Sequence, residues 1–411
     1  MTTQVLFFST ELTPERLSWI DQALKYYTHQ GKGAEPPVAP IPEVPGVTIF
    51  LTGDALYSLN EAESRHIWAS ILSLPAIRLV CNSDALDHRG IPLYPLAERF
   101  PEQISALPAD EHKGTPSFWA EVISATQDHH PPGTRQQIGW LLISSPYMSP
   151  SAGDAIRCFS AALGGDCGVS LYAYLDGCHA CHTGQIAEDR ENIGDALGLL
   201  AKQAAEKHLP CSFMVHRYSA AARGYQSWDD GLGTIGSSFI IRPAHIRDTA
   251  VLIDDIKKTQ VLLSENAGRV IPAYQRLPEP DSPDAGPVNI LITHSPYSTE
   301  HTQGGIAFAV ACAHQGIRSR VIFLEDGIYA LTGEHQAHEG REDITIPELI
   351  AHLSGTTNLQ FLALIPSFHI RGVLKSGTLA AVQELRFEDL GALLFPKETS
   401  MGTGKTRILI F

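Results

Sequence analysis

Two kinds of hydrophobic pattern alternate along this chain. Short, uninterrupted apolar runs rich in β-branched residues, such as IGWLLI at 138–143 and VNILI at 288–292, predict buried strands. Between such runs, residues 153–163, 192–208 and 304–316 carry apolar side chains at helical spacing and predict helices. Strands that alternate with helices form parallel sheets flanked by helices, so the pattern predicts an α/β fold.

The same order of segments occurs three times. Each copy has a first strand that runs into a polar turn, a second strand that ends near an aspartate and a glycine, and a later strand that ends in polar residues. Ser145 and Asp176 are as far apart as Ser295 and Asp326, so no residue is inserted between these matched blocks. An ordered repeat of this kind indicates tandem domains of one design. The matched segments are 138–147, 169–181 and 212–224 in the second copy, 288–297, 320–331 and 365–377 in the third, and, more weakly, 5–11, 47–59 and 77–90 in the first.

Segments with the composition of linkers separate the copies. Residues 126–137 and 276–288 are rich in proline and polar side chains, and each ends where a new first strand starts. Residues 31–46, GKGAEPPVAPIPEVPG, are a Pro-rich insertion in the first copy and predict a surface excursion. The predicted domains are therefore 1–127, 137–275 and 287–411.

Composition and charge narrow the classes of function. The 411 residues are 44% hydrophobic and 18% charged, as is typical of a globular protein. A formal net charge of −15 disfavours direct binding to nucleic acid or to an anionic lipid surface. The sequence shows no apolar stretch that could span a membrane and no signal pattern, so we expect a cytoplasmic protein. Its seven cysteines are then expected to be reduced thiols.

The polar residues that follow the strands are the candidate site residues. In an open parallel sheet, ligands bind at the carboxyl ends of the strands, so these residues should converge on one cleft per domain. The repeat aligns His216 with His369, and it puts Cys81 near the same place in the first copy. A thiol between a strand end and a helix start can have a lowered pKa and act as a nucleophile. The alternative is that Cys81 is a small buried hydrophobe, as free cysteines often are.

These motifs resemble those of the DsrE/TusD sulfur-relay family. The resemblance implies three tandem DsrE-like domains, each a mostly parallel sheet flanked by helices, that carry sulfur as a cysteine persulfide. It also implies a ring-like assembly in which a dimer of this chain supplies six domains, and a relay cysteine that corresponds to Cys81. The segments that carry the resemblance are ISSPYMSP at 143–150, ITHSPYSTE at 292–300, LTGDALYSL at 51–59, LEDGIYAL at 324–331, VCNSDALDHRGI at 80–91 and HRYSAAARGY at 216–225.

The segment DGCHACHTG at 176–184 adds two thiols to the second copy. The repeat places Cys178 and Cys181 in the turn after the second strand, beside the cleft that His216 should face. One hypothesis is that either cysteine carries a persulfide, or that the two close a disulfide, with a neighbouring histidine as proton partner. A zinc site of Cys178, Cys181 and His182 or His216 is an alternative, and an accidental cluster in a loop is another. Haem attachment is disfavoured because it requires export.

The sequence therefore leads to two functional hypotheses. The first is a cytoplasmic sulfurtransferase-like carrier that accepts sulfane sulfur on a cysteine and passes it from a donor protein to an acceptor protein. Its candidate catalytic residues are Cys81, Cys178, Cys181 and His216, and it needs no cofactor. The second is a non-catalytic assembly, metal-binding or redox-sensing module built on DsrE-like domains. Both predict a homo-oligomer, and neither involves nucleic acid or a membrane.

Overall fold

A computed structural model shows two compact units. The first unit comprises Met1–Leu12 and Pro45–Arg276, and the second comprises Thr13–Val44 and Leu277–Phe411. The residues that the structure describes are 4–29, 46–110, 117–127, 135–225, 228–229, 235–265, 268–270, 287–297, 299–332, 335, 344–373, 381–395, 398–399, 402–403 and 407–411. Most of the predicted Pro-rich insertion at 31–46 and most of the two predicted linkers lie outside these residues.

The first copy contributes four strands and four helices to the first unit. A 3-10 turn at Gly53–Leu59 follows its second strand. The elements are β1 (Gln4–Phe8), β2 (Val47–Leu51), α2 (Ala62–Leu72), β3 (Ile77–Asn82), α3 (Ser83–Arg89), α4 (Tyr94–Ala97), β4 (Ile104–Leu107) and α5 (Phe118–Gln127), whereas helix α1 (Pro14–His29), which follows β1, belongs to the second unit.

The second copy has the same order of elements, and it adds a fifth parallel strand, an antiparallel strand and a short hairpin. A 3-10 turn at Leu175–Cys181 again follows its second strand. The elements are β5 (Gln137–Leu142), α6 (Ser151–Gly164), β6 (Gly168–Ala173), α7 (Ile193–Glu206), β7 (Cys211–His216), α8 (Arg217–Ala222), the short hairpin β8 (Trp228–Asp229) and β9 (Ile235–Gly236), β10 (Ala244–Arg247), α9 (Thr249–Lys258), β11 (Val261–Ser264) and β12 (Gly268–Val270).

The two copies of the first unit share one sheet of ten strands. The strand order is β10-β7-β6-β5-β11-β12-β1-β2-β3-β4. Every pair is parallel except those of β12, which is antiparallel to both β11 and β1 and so joins the two parallel blocks. Phe7, Trp119 and Trp140 pack together, with ring centroids 5.5–6.1 Å apart, in one hydrophobic core that includes residues of both copies. All strands but β12 therefore end at the same edge, which we call the carboxyl edge.

The third copy forms the sheet of the second unit. Its five strands are all parallel, in the order β16-β15-β14-β13-β19. Helix α1 packs in this unit, where Tyr26 and Ala23 lie against Gly391 and the rings of Tyr27 and Phe395 are 5.2 Å apart. The elements are β13 (Val288–Ile292), α10 (His301–His314), β14 (Ser319–Phe323), a 3-10 turn (Glu325–Leu331), α11 (Ile346–Leu353), β15 (Leu359–Leu364), α12 (Ile365–Ile370), β16 (Gln383–Leu385), α13 (Phe387–Leu394), the hairpin β17 (Glu398–Thr399) and β18 (Gly402–Thr403), and β19 (Arg407–Ile410).

This architecture confirms the predicted α/β class. Parallel blocks of four, five and five strands are flanked by helices, and strand order within each block follows the same plan. The division into three domains and their DsrE-like character stay predictions. None of the helices in the described part of the chain is both long and apolar enough to cross a membrane.

The turn after the second strand is built alike in all three copies. Gly53, Leu175 and Glu325 begin the 3-10 turns and all have left-handed backbone conformations, with φ of +54°, +49° and +52°. The next residue in each turn is an aspartate, and it pairs with an arginine at the C-terminal end of the helix that follows the third strand. The pairs are Asp54 with Arg89 at 3.0 Å, Asp176 with Arg223 at 2.8 Å, and Asp326 with Arg371 at 2.8 Å.

Glycines at this turn leave no room for a side chain. A Cβ atom on Gly177 would lie 2.0 Å from the backbone oxygen of Leu142, at the end of the first strand. A Cβ on Gly327 would lie 2.0 Å from the backbone oxygen of Ile292 in the third copy. Because these contacts are with backbone atoms, neither turn can accept a side chain without moving. The turns are therefore fixed against the ends of the first strands.

We predict that Gly177→Ala destabilises the first unit by about 2 kcal/mol or more, because the added methyl group overlaps a backbone carbonyl. The control is Gly198→Ala in α7, where no atom lies within 4 Å of the added carbon, and it should stabilise the helix by about 1 kcal/mol. Urea unfolding followed by circular dichroism measures both. Equal stability of the two variants would contradict this packing.

Candidate functional site

The carboxyl edges hold the residues that the sequence singled out, but in a different alignment. His216 ends the third strand of the second copy and caps α8. The residues that end the third strand in the other copies are Asn82 and Leu364. The predicted alignment of His216 with His369 is therefore wrong, since His369 lies in the last turn of α12. Cys81 is one residue short of the capping position, which Asn82 occupies.

Cys81 is a core residue of the first copy. It lies within β3, between Leu51 of β2 and Ala106 of β4, and its side chain is fully buried. Burial raises the pKa of the Cys81 thiol to about 12, which is opposite to the lowering expected at the start of a helix. The helix start is instead occupied by Asn82, whose side chain accepts a hydrogen bond from the backbone N–H of Ala85. Cys81 is a neutral thiol at physiological pH.

His216 is a buried, neutral capping residue. Its Nδ1 accepts a hydrogen bond from the backbone N–H of Ser219 at 3.3 Å, as an N-cap side chain does. Its Nε2 then carries the proton and lies 2.8 Å from Oγ1 of Thr249. The pKa of His216 is lowered to about 4, chiefly by burial and to a smaller extent by the charge of Arg223, against the opposing effect of Asp248. The imidazole is therefore uncharged near pH 7 and bonded on both sides.

Cys178 lies beneath this histidine in the 3-10 turn of the second copy. Its thiol donates a hydrogen bond to the backbone oxygen of Ala173 at 3.4 Å, and its side chain is fully buried. Burial raises the pKa of the Cys178 thiol to about 12. The charge of Arg223 and hydrogen bonds from the Ser219 side chain and the His216 backbone act in the opposite direction but do not overcome burial. Asp176 adds to the effect of burial, so the thiol is protonated despite the cation and the hydrogen-bond donors beside it.

Cys181 and His182 follow Cys178 at the end of the same 3-10 turn. Cys181 is fully buried, and burial raises the pKa of its thiol. The ring of His182 stacks with Tyr225 at 5.0 Å, and its Nδ1 accepts a hydrogen bond from the backbone N–H of Gly184. Within the described residues, no three His, Cys, Asp or Glu side chains come together in a way that could hold a metal ion. The zinc alternative at this loop gains no support from the geometry.

The other two copies explain why both cysteines point inward. In the 3-10 turns, the position of Cys178 is occupied by Leu56 and Ile328, and the position of Cys181 by Leu59 and Leu331. All four of these side chains are buried. Cys178 and Cys181 therefore occupy positions that the fold uses for its core, and both thiols are free.

Sequence reasoning missed the polar residues around Cys178. Ser219 bonds the backbone N–H of Leu175 at 2.9 Å, and Ser367 makes the equivalent bond to Glu325 at 3.0 Å in the third copy. Arg223 bonds Asp176, and the Tyr225 hydroxyl bonds Nδ1 of His179. The signal in the sequence was the Arg-Gly pair that ends each of the three short helices, since Gly90, Gly224 and Gly372 all have positive φ. Aligning the copies on that pair gives the alignment seen in the structure.

No family model matches this chain, and no curated protein matches it either. The family resemblance therefore depends on the motifs of the sequence, and the function that it implies is a matter for proposal.

We predict that His216→Asn makes unfolding less sensitive to acid. A histidine whose pKa falls from about 6.5 unfolded to about 4 folded takes up a proton on unfolding between these values, so the wild type should lose up to about 3 kcal/mol as the pH falls through this window. Asparagine does not titrate and can keep the cap, as Asn82 does.

The measurement is the free energy of unfolding in urea at a series of pH values. His216→Ala is the matched control, because it should lose the cap at every pH, at a cost of about 1 kcal/mol. If the curves of the wild type and His216→Asn run parallel from neutral to acid pH, His216 is not the buried neutral base described here.

Proposed function

We propose that this chain is a non-catalytic assembly module built on DsrE-like domains, which binds protein through the carboxyl edges of its sheets. The observation that carries the proposal is the arrangement of side chains at these edges. Large apolar side chains are exposed there, whereas the thiols beneath them are buried and protonated. Exposed apolar side chains that gather on one face mark a surface for protein contact.

In the first unit, the exposed side chains come from both copies. Tyr57 lies in the 3-10 turn after β2, Met148 follows β5, and Tyr218 lies in the first turn of α8. Phe239 is also exposed, and its ring stacks with His182 next to the turn that holds Cys178. Aromatic residues and methionine are the types that protein interfaces favour.

The second unit repeats this arrangement by itself. Tyr297 follows β13, Tyr329 lies in the 3-10 turn after β14, and Ile370 ends α12, and all three are exposed. Tyr329 and Tyr57 occupy the same position of their turns. We take a second copy of this chain as the partner, in keeping with the expected dimer. Because two copies with a net charge of −15 repel each other, apolar contact has to drive their association.

A carrier function at Cys178 is the second candidate, and one observation favours it. Of the thiols of Cys81, Cys178, Cys181 and Cys211, that of Cys178 is the one with a cation and hydrogen-bond donors that lower its pKa. In this mechanism its thiolate attacks the outer sulfur of a donor persulfide, the S–S bond of the donor breaks, and the donor leaves as a thiolate. The turn would have to open for that attack.

The first test distinguishes the two functions by sulfur loading. The folded protein is incubated with glutathione persulfide and alkylated, and its peptides are analysed by mass spectrometry. We expect no gain of one sulfur atom at Cys81, Cys178 or Cys181, because their thiols are buried and carry raised pKa values. The urea-unfolded protein is the control, and its thiols should react.

The matched variant is Cys178→Ile with Cys181→Leu, which puts into the second copy the residues of the third. It should fold as the wild type does. An adduct on Cys178 of the folded wild type, absent from this variant, would overturn the assembly proposal and establish the carrier.

The second test measures association directly. Sedimentation velocity should show self-association that strengthens as salt screens the repulsion between copies. Tyr218→Ser combined with Phe239→Ser should weaken it, whereas Leu199→Ser, an exposed apolar residue of α7, should not. A protein that stays monomeric at all concentrations would contradict docking at the carboxyl edge. Equal weakening of self-association by Leu199→Ser and by the Tyr218→Ser, Phe239→Ser double variant would contradict it too.

A further inference from the structure

Two histidines face each other at the carboxyl edge of the second unit. His294 lies just after β13, and His301 is the first residue of α10. Their Nδ1 atoms are 3.4 Å apart, and their rings are nearly perpendicular with centroids 4.5 Å apart. Neither residue belongs to the thiol-containing turn or was singled out individually in the sequence, although His294 lies in the polar segment at 292–300.

The separation of the two nitrogens suits a shared metal ion. Zinc binds histidine nitrogen at about 2.0–2.1 Å with tetrahedral angles, which places two ligating nitrogens about 3.3–3.4 Å apart. The Nδ1 atoms of His294 and His301 are already at that distance. Imidazole nitrogen is a ligand for divalent transition metals and a poor one for magnesium or calcium.

The second copy shows that the fold itself brings these two positions together. Ser144 and Ser151 occupy there the places of His294 and His301, after the first strand and at the start of the next helix. Glu265 lies beside them, and its carboxylate accepts hydrogen bonds from the backbone N–H groups of Ile143 and Ser144. Both serines are replaced by imidazoles in the third copy, so the pair is a local addition to a common scaffold.

The surroundings hold His294 in place and leave the pair open. The Thr302 hydroxyl donates to the backbone oxygen of His294 at 2.9 Å, and Oγ1 of Thr293 lies 3.2 Å from its Nδ1. Both imidazoles are partly exposed, so water can complete the coordination. Burial lowers the pKa of His294, which favours the neutral form that binds metals.

Charged side chains of both signs act on His294. Arg16 forms a two-point ion pair with Glu325 through Nε and Nη2, at 2.9 and 2.8 Å. Arg371 bonds both Glu15 and Asp326. The acids of this edge are therefore paired with arginines. Of the charges that act on His294, that of Arg16 opposes a cation, and those of Glu325 and Asp326 favour one.

We propose that His294 and His301 form a two-imidazole binding site for a divalent transition-metal ion of the zinc type. The ion replaces the contact between the two Nδ1 atoms, and water or an external ligand occupies its remaining positions. The site is separate from Cys178 and Cys181, and it does not depend on the assembly function.

Isothermal titration of the metal-free protein with Zn²⁺ tests the site. We expect one ion per chain for the wild type, and His294→Ser or His301→Ser should each weaken binding by roughly tenfold or more, because one of two protein ligands is lost. These substitutions copy the serines of the second copy, so the scaffold accepts them. His314→Ser, at the exposed end of the same helix, should bind as the wild type does, and Mg²⁺ should not bind.

The variant Cys178→Ile with Cys181→Leu tests whether the thiols contribute to Zn²⁺ binding. It should bind Zn²⁺ as the wild type does. The proposal fails if the wild type binds no Zn²⁺, if binding survives both histidine substitutions, or if it is lost with the cysteines. If His294→Ser does not fold, the His301→Ser variant alone tests the site, because His301 is partly exposed.

Discussion

The close approach between the turn after the second strand and the end of the first strand is the constraint on which the rest of each copy depends. A Cβ on Gly177 or Gly327, the third residue of the turn, would lie 2.0 Å from a backbone oxygen at the end of the neighbouring first strand. In the first copy the third residue is Ala55, and the close approach is at the first residue, where a Cβ on Gly53 would lie 2.4 Å from the backbone oxygen of Ser9. The Asp–Arg pairs hold the same turns from the other side. A half-exposed ion pair adds only about 1 kcal/mol, so its role is to orient the turn more than to stabilise it.

This constraint decides which side chains can act at the edge. The fourth and seventh residues of each turn point into the core, so Cys178 and Cys181 are buried as Leu56 and Leu331 are. The fifth residue points outward, where Tyr57, His179 and Tyr329 are found. The copies thus share one scaffold and differ in the chemistry that they add to it: thiols under aromatic rings in the second copy, and a pair of imidazoles in the third.

The sequence predicted the strands, the repeat and the α/β class, because buried parallel strands give continuous apolar runs that periodicity detects. It also predicted that His216 ends a strand. It misaligned His369, because a spacing of eight to a glycine is matched both by Gly372 with Leu364 and by Gly377 with His369. Of these two glycines, only Gly372 follows an arginine, as the corresponding glycines of the other copies do. The antiparallel strand β12 and the packing of α1 with the third copy rest on long-range contacts that local patterns do not encode. The position of Cys81 just before a helix did not predict that its side chain is buried in the core.

The central claim is that the thiols of the carboxyl edge are atoms of the core. Pulsed cysteine labelling across a urea series, resolved by mass spectrometry, measures the free energy needed to expose each thiol. Cys158, buried in α6, is the internal reference. The account predicts that Cys81 and Cys178 become labelled with the same urea dependence as Cys158, together with the loss of secondary structure. Fast labelling of Cys178 in the absence of urea, through a local opening that leaves Cys158 protected, would contradict it.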